Sequence, residues 1–133
     1  MLRHIFDSHA HYDDERFSGE TKEVLLSLRE KGVDRVINIG CDRASSHSSV
    51  SLARQFDFVW AAVGIHPHAA TELDTVVLEE LRTLSEDSRV IAIGEIGLDY
   101  HYDFSPRDTQ IQAFEQQLDV YKRQEYGERK LCG

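Results

Sequence analysis

Two histidines one residue apart, His9 and His11, lie in the run Asp7-Ser8-His9-Ala10-His11. In extended backbone, side chains two apart point to the same face, so a strand ending here presents both imidazoles together. Paired imidazoles suit a borderline divalent ion. A His-x-His match is weak by itself and gains weight only from where the backbone puts it. Glu95 is the second candidate. It follows Val90-Ile91-Ala92-Ile93-Gly94, and a carboxylate placed there costs free energy unless a cation or a donor meets it. Gly94 and Gly97 on either side leave room for backbone or ligand to come close.

Two further segments can touch a ligand. Gly64-Ile65-His66-Pro67-His68 adds a second His-x-His, which Pro67 stiffens into a rigid loop. His66 is placed to reach a substrate, and His68 reads as exposed. Leu98-Asp99-Tyr100-His101-Tyr102-Asp103 combines acids with aromatics, a wall for a polar ligand with flat bases. A plainer reading stands beside each: ordinary loop histidines, a loop or capping acid, tyrosines that merely cover a mouth.

The elements that must position these residues alternate. Strands are expected over His4–His9, Arg35–Gly40, Phe58–Val63 and Val90–Ile93. Amphipathic helices are expected at about Gly19–Lys31, Ala44–Gln55 and Leu73–Ser85. Their buried stripes are Val24, Leu25 and Leu28, then Val50, Leu52 and Ala53, then Val77, Leu78, Leu81 and Leu84. Gly32 is placed to close the first helix. A fourth helix opens at Ser105-Pro106-Arg107-Asp108, with Ser105 as N-cap and Pro106 at the first helical position. Its stripe reads Ile111, Phe114 and Leu118.

Four βα units in succession imply a parallel α/β sheet with right-handed crossovers. The second to fourth strands are nearly continuously apolar, as strands buried on both faces are. An open doubly wound sheet would need a glycine-rich turn after the first strand. Here that turn is Ser8-His9-Ala10-His11, so a (β/α)8 barrel of the TIM type is favoured, with only its first four βα units present. His9, His11, His66 and Glu95 then share the C-terminal rim of the strands, where barrel enzymes keep their chemistry.

With 133 residues, the chain is about half of the roughly 250 that such a barrel takes. From Tyr121 onward the charge changes sign, to +2 against −11 for residues 1–120. The domain is therefore expected over 1–120, and 121–133 reads as a non-native or disordered tail. The whole chain carries a formal charge of −9, without the basic stripe of a protein that tracks a long nucleic-acid backbone. Any nucleic-acid contact is then small and local, with metal ions supplying positive charge. The longest apolar run, Phe58–Ile65, is far short of a membrane span. Asp7 falls where a signal peptide would be apolar, so a cytoplasmic location is expected by default. Cys41 and Cys132 lie far apart, with no disulfide framework or zinc spacing.

Asp7-Ser8-His9-Ala10-His11, Gly64-Ile65-His66-Pro67-His68 and Gly94-Glu95-Ile96-Gly97-Leu98-Asp99-Tyr100 resemble, in order, three signature blocks of the TatD family of metal-dependent deoxyribonucleases. The resemblance covers about residues 1–120, the N-terminal half of such a protein. It implies a barrel holding two divalent ions and hydrolysing phosphodiesters at DNA ends; a His-His-Glu donor set suits zinc, manganese, cobalt or iron, and magnesium less well. His9 and His11 would ligate one ion, and Glu95, counted as the catalytic carboxylate, would bridge both. His66, Asp99 and Tyr100 would contact substrate. The family's remaining ligands, two histidines and an aspartate, come after strands five, six and eight, which this sequence lacks. The half-chain alone is thus expected to be inactive and to self-associate through its open sheet edges. Two other functions compete: hydrolysis of a small amide, lactone or phosphoester on the same barrel, and a non-catalytic remnant or self-associating module.

Overall fold

The structure, a computed structural model, describes residues 2–126. Strands β1 (Ile5–Ala10), β2 (Val33–Ile39), β3 (Val59–Val63) and β4 (Val90–Ile93) alternate with helices α1 (Thr21–Glu30), α2 (Arg43–Gln55), α3 (Thr75–Ser85) and α4 (Arg107–Tyr126). The strands form one sheet in the order β1-β2-β3-β4, every neighbouring pair parallel. This is the βα succession expected from the alternating pattern.

Local chemistry sets the boundaries. The Asp42 side chain accepts from the Ser45 amide at 2.7 Å, and the Ser45 hydroxyl accepts in return from the Asp42 amide. This reciprocal cap fixes the start of α2 in a serine-rich stretch of low helix propensity. Asp74 caps α3 by accepting from the Val77 amide. Gly32 ends α1 at φ +103°, and a Cβ there would lie 2.4 Å from the Leu2 carbonyl oxygen, so only glycine fits.

One face of the sheet carries the core. Val36, Val59, Ala61, Val63 and Val90 pack against Leu25, Val50, Ala53, Val77 and Leu81 from the helices. Each large apolar side chain buried this way contributes about 1.5–3 kcal/mol. The opposite face is open among the described residues: Phe6 is 55% exposed and Ile91 46%. Trp60 is covered only in part, with the Arg89 guanidinium 3.9 Å from its ring centre. The apolar pattern of β2 to β4 therefore meets a partner layer on one side, not on both.

Three expectations change. The buried face of α4 is Gln110, Ala113, Gln117 and Val120, and Ile111 is exposed. Periodicity of apolar residues misses this face because two of its four members are glutamines. Ser105 turns its hydroxyl to the His68 carbonyl at 3.0 Å, and the helix begins at Arg107. Finally, α4 runs on past residue 120 to Tyr126; the rest of the anomalous tail, 127–133, lies outside the described residues. No described helix is long and apolar enough to cross a membrane.

Candidate metal centre

The end of β1 is irregular. Asp7 pairs with Val36 but Ala10 pairs with Asn38, so one extra residue bulges out. A bulge re-aims the side chains next to it. His9 and His11 emerge here with ring centres 5.1 Å apart and nearly perpendicular. His11 Nδ1 donates to the Ile39 carbonyl at 3.0 Å, because a carbonyl can only accept. That bond fixes the tautomer and leaves Nε2 with a free lone pair, the orientation that outer-shell bonds give metal-binding histidines.

Asn38 locks the segment that follows. Wholly buried, it accepts from the Tyr12 amide at 2.7 Å and donates to Asp13 Oδ1 at 2.7 Å and Ser49 Oγ at 2.9 Å. Tyr12 in turn donates from its hydroxyl to Asp7 at 2.8 Å. Burial, then the Asp7 carboxylate, pushes the Tyr12 phenol up to about 12, so it stays a donor.

Glu95 arrives from β4. Its amide donates to the Gly40 carbonyl at 2.8 Å, and the Gly94 amide donates to Val63 at 2.9 Å. The close approach expected at Gly94 and Gly97 falls instead at Gly64. A Cβ on Gly64 would lie 2.8 Å from the Gly94 carbonyl carbon, whereas the space beside Gly94 and Gly97 is open. Ser46 holds Gly64 in place, bonding both its amide and its carbonyl at 3.1 Å.

These restraints bring the three predicted ligands together. Glu95 Oε2 is 3.4 Å from His9 Nε2. One ligand atom from each of His9, His11 and Glu95 lies within 4.8 Å of the others. A borderline divalent ion fits this donor set: two imidazoles, one with its far nitrogen already committed, and a carboxylate facing them.

His66 approaches the same carboxylate, its Nε2 3.6 Å from Glu95 Oε1. Its Nδ1 accepts from the His68 amide at 3.1 Å, which caps the 3-10 turn Pro67–Glu72. Burial, the largest influence, holds the His66 ring below its ordinary value. His68 was expected to be exposed, yet it is part-buried and hydrogen-bonded to Asp99. Asp99 Oδ1 also accepts from the amides of His101 and Tyr102, at 2.9 and 3.1 Å. The bond from His68, then these amides, keeps its carboxyl below the usual range. Tyr100 is exposed, with the Arg107 guanidinium 4.5 Å from its ring centre.

A cavity of about 300 Å³ opens between Cys41, Asp42, His66, His68, Ala69 and Glu95. Cys41 was not among the residues expected at the site. Burial, then nearby Glu95, raises its thiol to about 11, so it lines the cavity as a neutral group. Asn38 also escaped notice, although a lone amide inside Val36-Ile37-Asn38-Ile39 was a visible signal.

The chain as a whole is similar to known proteins. The chain is 36% identical over 118 residues to the metal-dependent hydrolase YabD of Bacillus subtilis, covering 89% of this chain and 46% of YabD. It is 36% identical over 115 residues to the 3'-5' ssDNA/RNA exonuclease TatD of Erwinia tasmaniensis, covering 86% and 44%. Among solved structures, YjjV, a TatD homologue from Escherichia coli, superposes with a TM-score of 0.84 at 29% identity, over 94% of this chain and 49% of YjjV. A TatD family hydrolase from Entamoeba histolytica shares the fold at the same TM-score and 23% identity. The chain spans about half the length of each. Residues 6–125 match the family described as TatD related DNase. The chain belongs to that family, and its fold is the first four βα units of a TIM-type barrel.

Proposed function

We propose that this chain supplies one metal-binding half of a metal-dependent phosphodiesterase that acts on the ends of single-stranded nucleic acid. The observation that carries the reading is the convergence of His9, His11 and Glu95 on one point of the strand-end rim. His9 and His11 would hold one divalent ion, and Glu95 would be shared with a second, whose other ligands would come from outside this half-barrel. Such ions polarise a phosphoryl oxygen and lower the pKa of a bound water.

The chain's own residues set the rest. Glu95 would supply the negative charge that holds a cation at the rim and would be the carboxylate nearest the substrate phosphate. The His66 ring, its Nδ1 accepting from the His68 amide and its Nε2 directed at the same carboxylate, donates to a phosphate oxygen. Tyr100 offers an exposed face to a base. Asp99 has its carboxylate engaged by His68 and two amides, so it serves the substrate wall through His68. The names of relatives such as the Erwinia TatD support DNA or RNA ends as substrate.

A second reading, a small phosphoester as substrate, is favoured by the net charge of −9, which repels a long polyanion. The test is to join this chain to the second half of YjjV and assay the product on single-stranded oligonucleotides and on a panel of small phosphoesters, amides and lactones. Metal-dependent release of nucleotides from oligonucleotide ends supports the proposal. Turnover confined to the small-molecule panel refutes the nucleic-acid reading. No metal-dependent turnover on either refutes both.

A further inference from the structure

Helix α4 grips the two loops of the site with two buried glutamines. Gln117 Oε1 accepts from the Ile65 amide at 2.7 Å, and its Nε2 donates to the Ile65 carbonyl at 3.1 Å. Gln110 Oε1 accepts from the Asp99 amide at 2.8 Å, and its Nε2 donates to the Asp99 carbonyl at 3.1 Å and the Ser105 carbonyl at 2.8 Å. Each carboxamide thus binds both backbone groups of a single loop residue. Both side chains are buried, and a buried amide left unpaired costs about 1–3 kcal/mol. The spacing of seven residues puts the two on one face of the helix.

The gripped residues bracket one hydrogen-bond chain. Ile65 precedes His66, and Asp99 accepts from His68. The His68 amide donates to His66 Nδ1. An imidazole nitrogen that accepts bears no proton, so the ring proton of His66 sits on Nε2. That Nε2 faces Glu95.

We propose that Gln110 and Gln117 are positioning residues that set His66 as a fixed Nε2–H donor. They do so by holding the His66–His68 turn and the Asp99 loop in register on one helix face. The inference rests on the reading of His66 as a substrate contact. On the same ground His66 would not be a metal ligand: the nitrogen nearest Glu95 bears a proton and has no free lone pair.

Long-range proton–nitrogen NMR of the histidine rings in the 133-residue chain tests this without any assay of activity. In the unaltered protein, His66 should show a protonated Nε2 and a bare Nδ1. Gln117→Met and Gln110→Met keep volume and helix propensity. Each should raise the minor Nδ1–H form of His66 about tenfold, the change expected from losing one hydrogen bond. Gln116→Met, exposed on the same helix, should change nothing. An Nδ1–H form in the unaltered protein overturns the proposal, as does an unchanged tautomer in both folded variants. If neither variant folds, exchange of the side-chain amide protons in the unaltered chain decides. Those of Gln110 and Gln117 should exchange more slowly than those of the exposed Gln112 and Gln116, and equal rates refute the clamps. A correct His66 tautomer with no nuclease activity in the joined protein would remove the functional reading and leave the positioning intact.

Discussion

The ring of His11 is tied to β2 through the Ile39 carbonyl, 3.0 Å from Nδ1. The bond belongs to the backbone, so the ring is oriented whether or not an ion is present, and its affinity is not spent on ordering the ligand. Zinc or manganese should therefore bind the 133-residue chain measurably. His9→Ala, His11→Ala and Glu95→Ala should each weaken binding by at least the roughly 10–100-fold that loss of an outer-shell partner costs. Titration calorimetry measures this, and an unchanged affinity in any of the three removes that residue from the site.

His66 should behave differently. With Nδ1 occupied by the His68 amide, His66→Ala should leave the bound metal stoichiometric. Affinity for a short single-stranded oligonucleotide should fall about tenfold, the worth of one hydrogen bond to a charged group. Metal analysis beside fluorescence anisotropy separates the two effects. Loss of stoichiometric metal would make His66 a ligand.

Asp99 gives a pH dependence with a definite sign. Its folded-state value is depressed below the ordinary 3.8, chiefly by the bond from His68. The ionised form is therefore favoured by folding. This contribution is fully present above 3.8 and is lost as pH falls through the depressed value. Asp99→Asn should flatten the acid limb of melting temperature against pH while leaving the neutral region nearly parallel. Identical acid limbs in the two proteins would show that Asp99 is not coupled to folding.

Gly64→Ala tests the packing between β3 and β4. The new methyl group would meet the Gly94 carbonyl carbon at 2.8 Å and the Ile96 side chain at 3.0 Å. Overpacking of this kind costs about 1–3 kcal/mol, which thermal melting should register. The change should also weaken metal binding, because Glu95 follows Gly94 directly.

The sheet edges give a fifth expectation. β1 and β4 each have one neighbour among the described residues, and unpaired edges recruit further strands. The open face also exposes Phe6 and Ile91. At micromolar concentration the 133-residue chain should sediment as a dimer or larger species. A monodisperse monomer with a cooperative melt would show that the open face is tolerated.

Much of this was legible in the sequence, and the losses have a common cause. The strands and the first three helices follow from apolar periodicity, and His9, His11 and Glu95 from their places at strand ends. Polar residues that satisfy backbone groups do not register in such patterns. Gln110 and Gln117 occupy the buried face of α4, while the apolar Ile111 is exposed. Asn38, Ser46 and Ser49 are buried because each has a hydrogen-bonding partner supplied by another element. His68 looked exposed because its partner, Asp99, lies thirty-one residues away. Gly64 gave no hint of its crowding, since the clash is with backbone from the next strand.

The strand order has a mechanical consequence. β1 and β4 are opposite margins of the sheet; three steps of about 4.8 Å would put them about 14 Å apart in a flat sheet. His9 comes from one margin and Glu95 from the other, yet their side chains lie 3.4 Å apart. The ligand set is thus a chord drawn across an arc. An ion held by His9, His11 and Glu95 would load that chord in tension, tying margin to margin, so that curvature of the sheet and occupancy of the site rise and fall together.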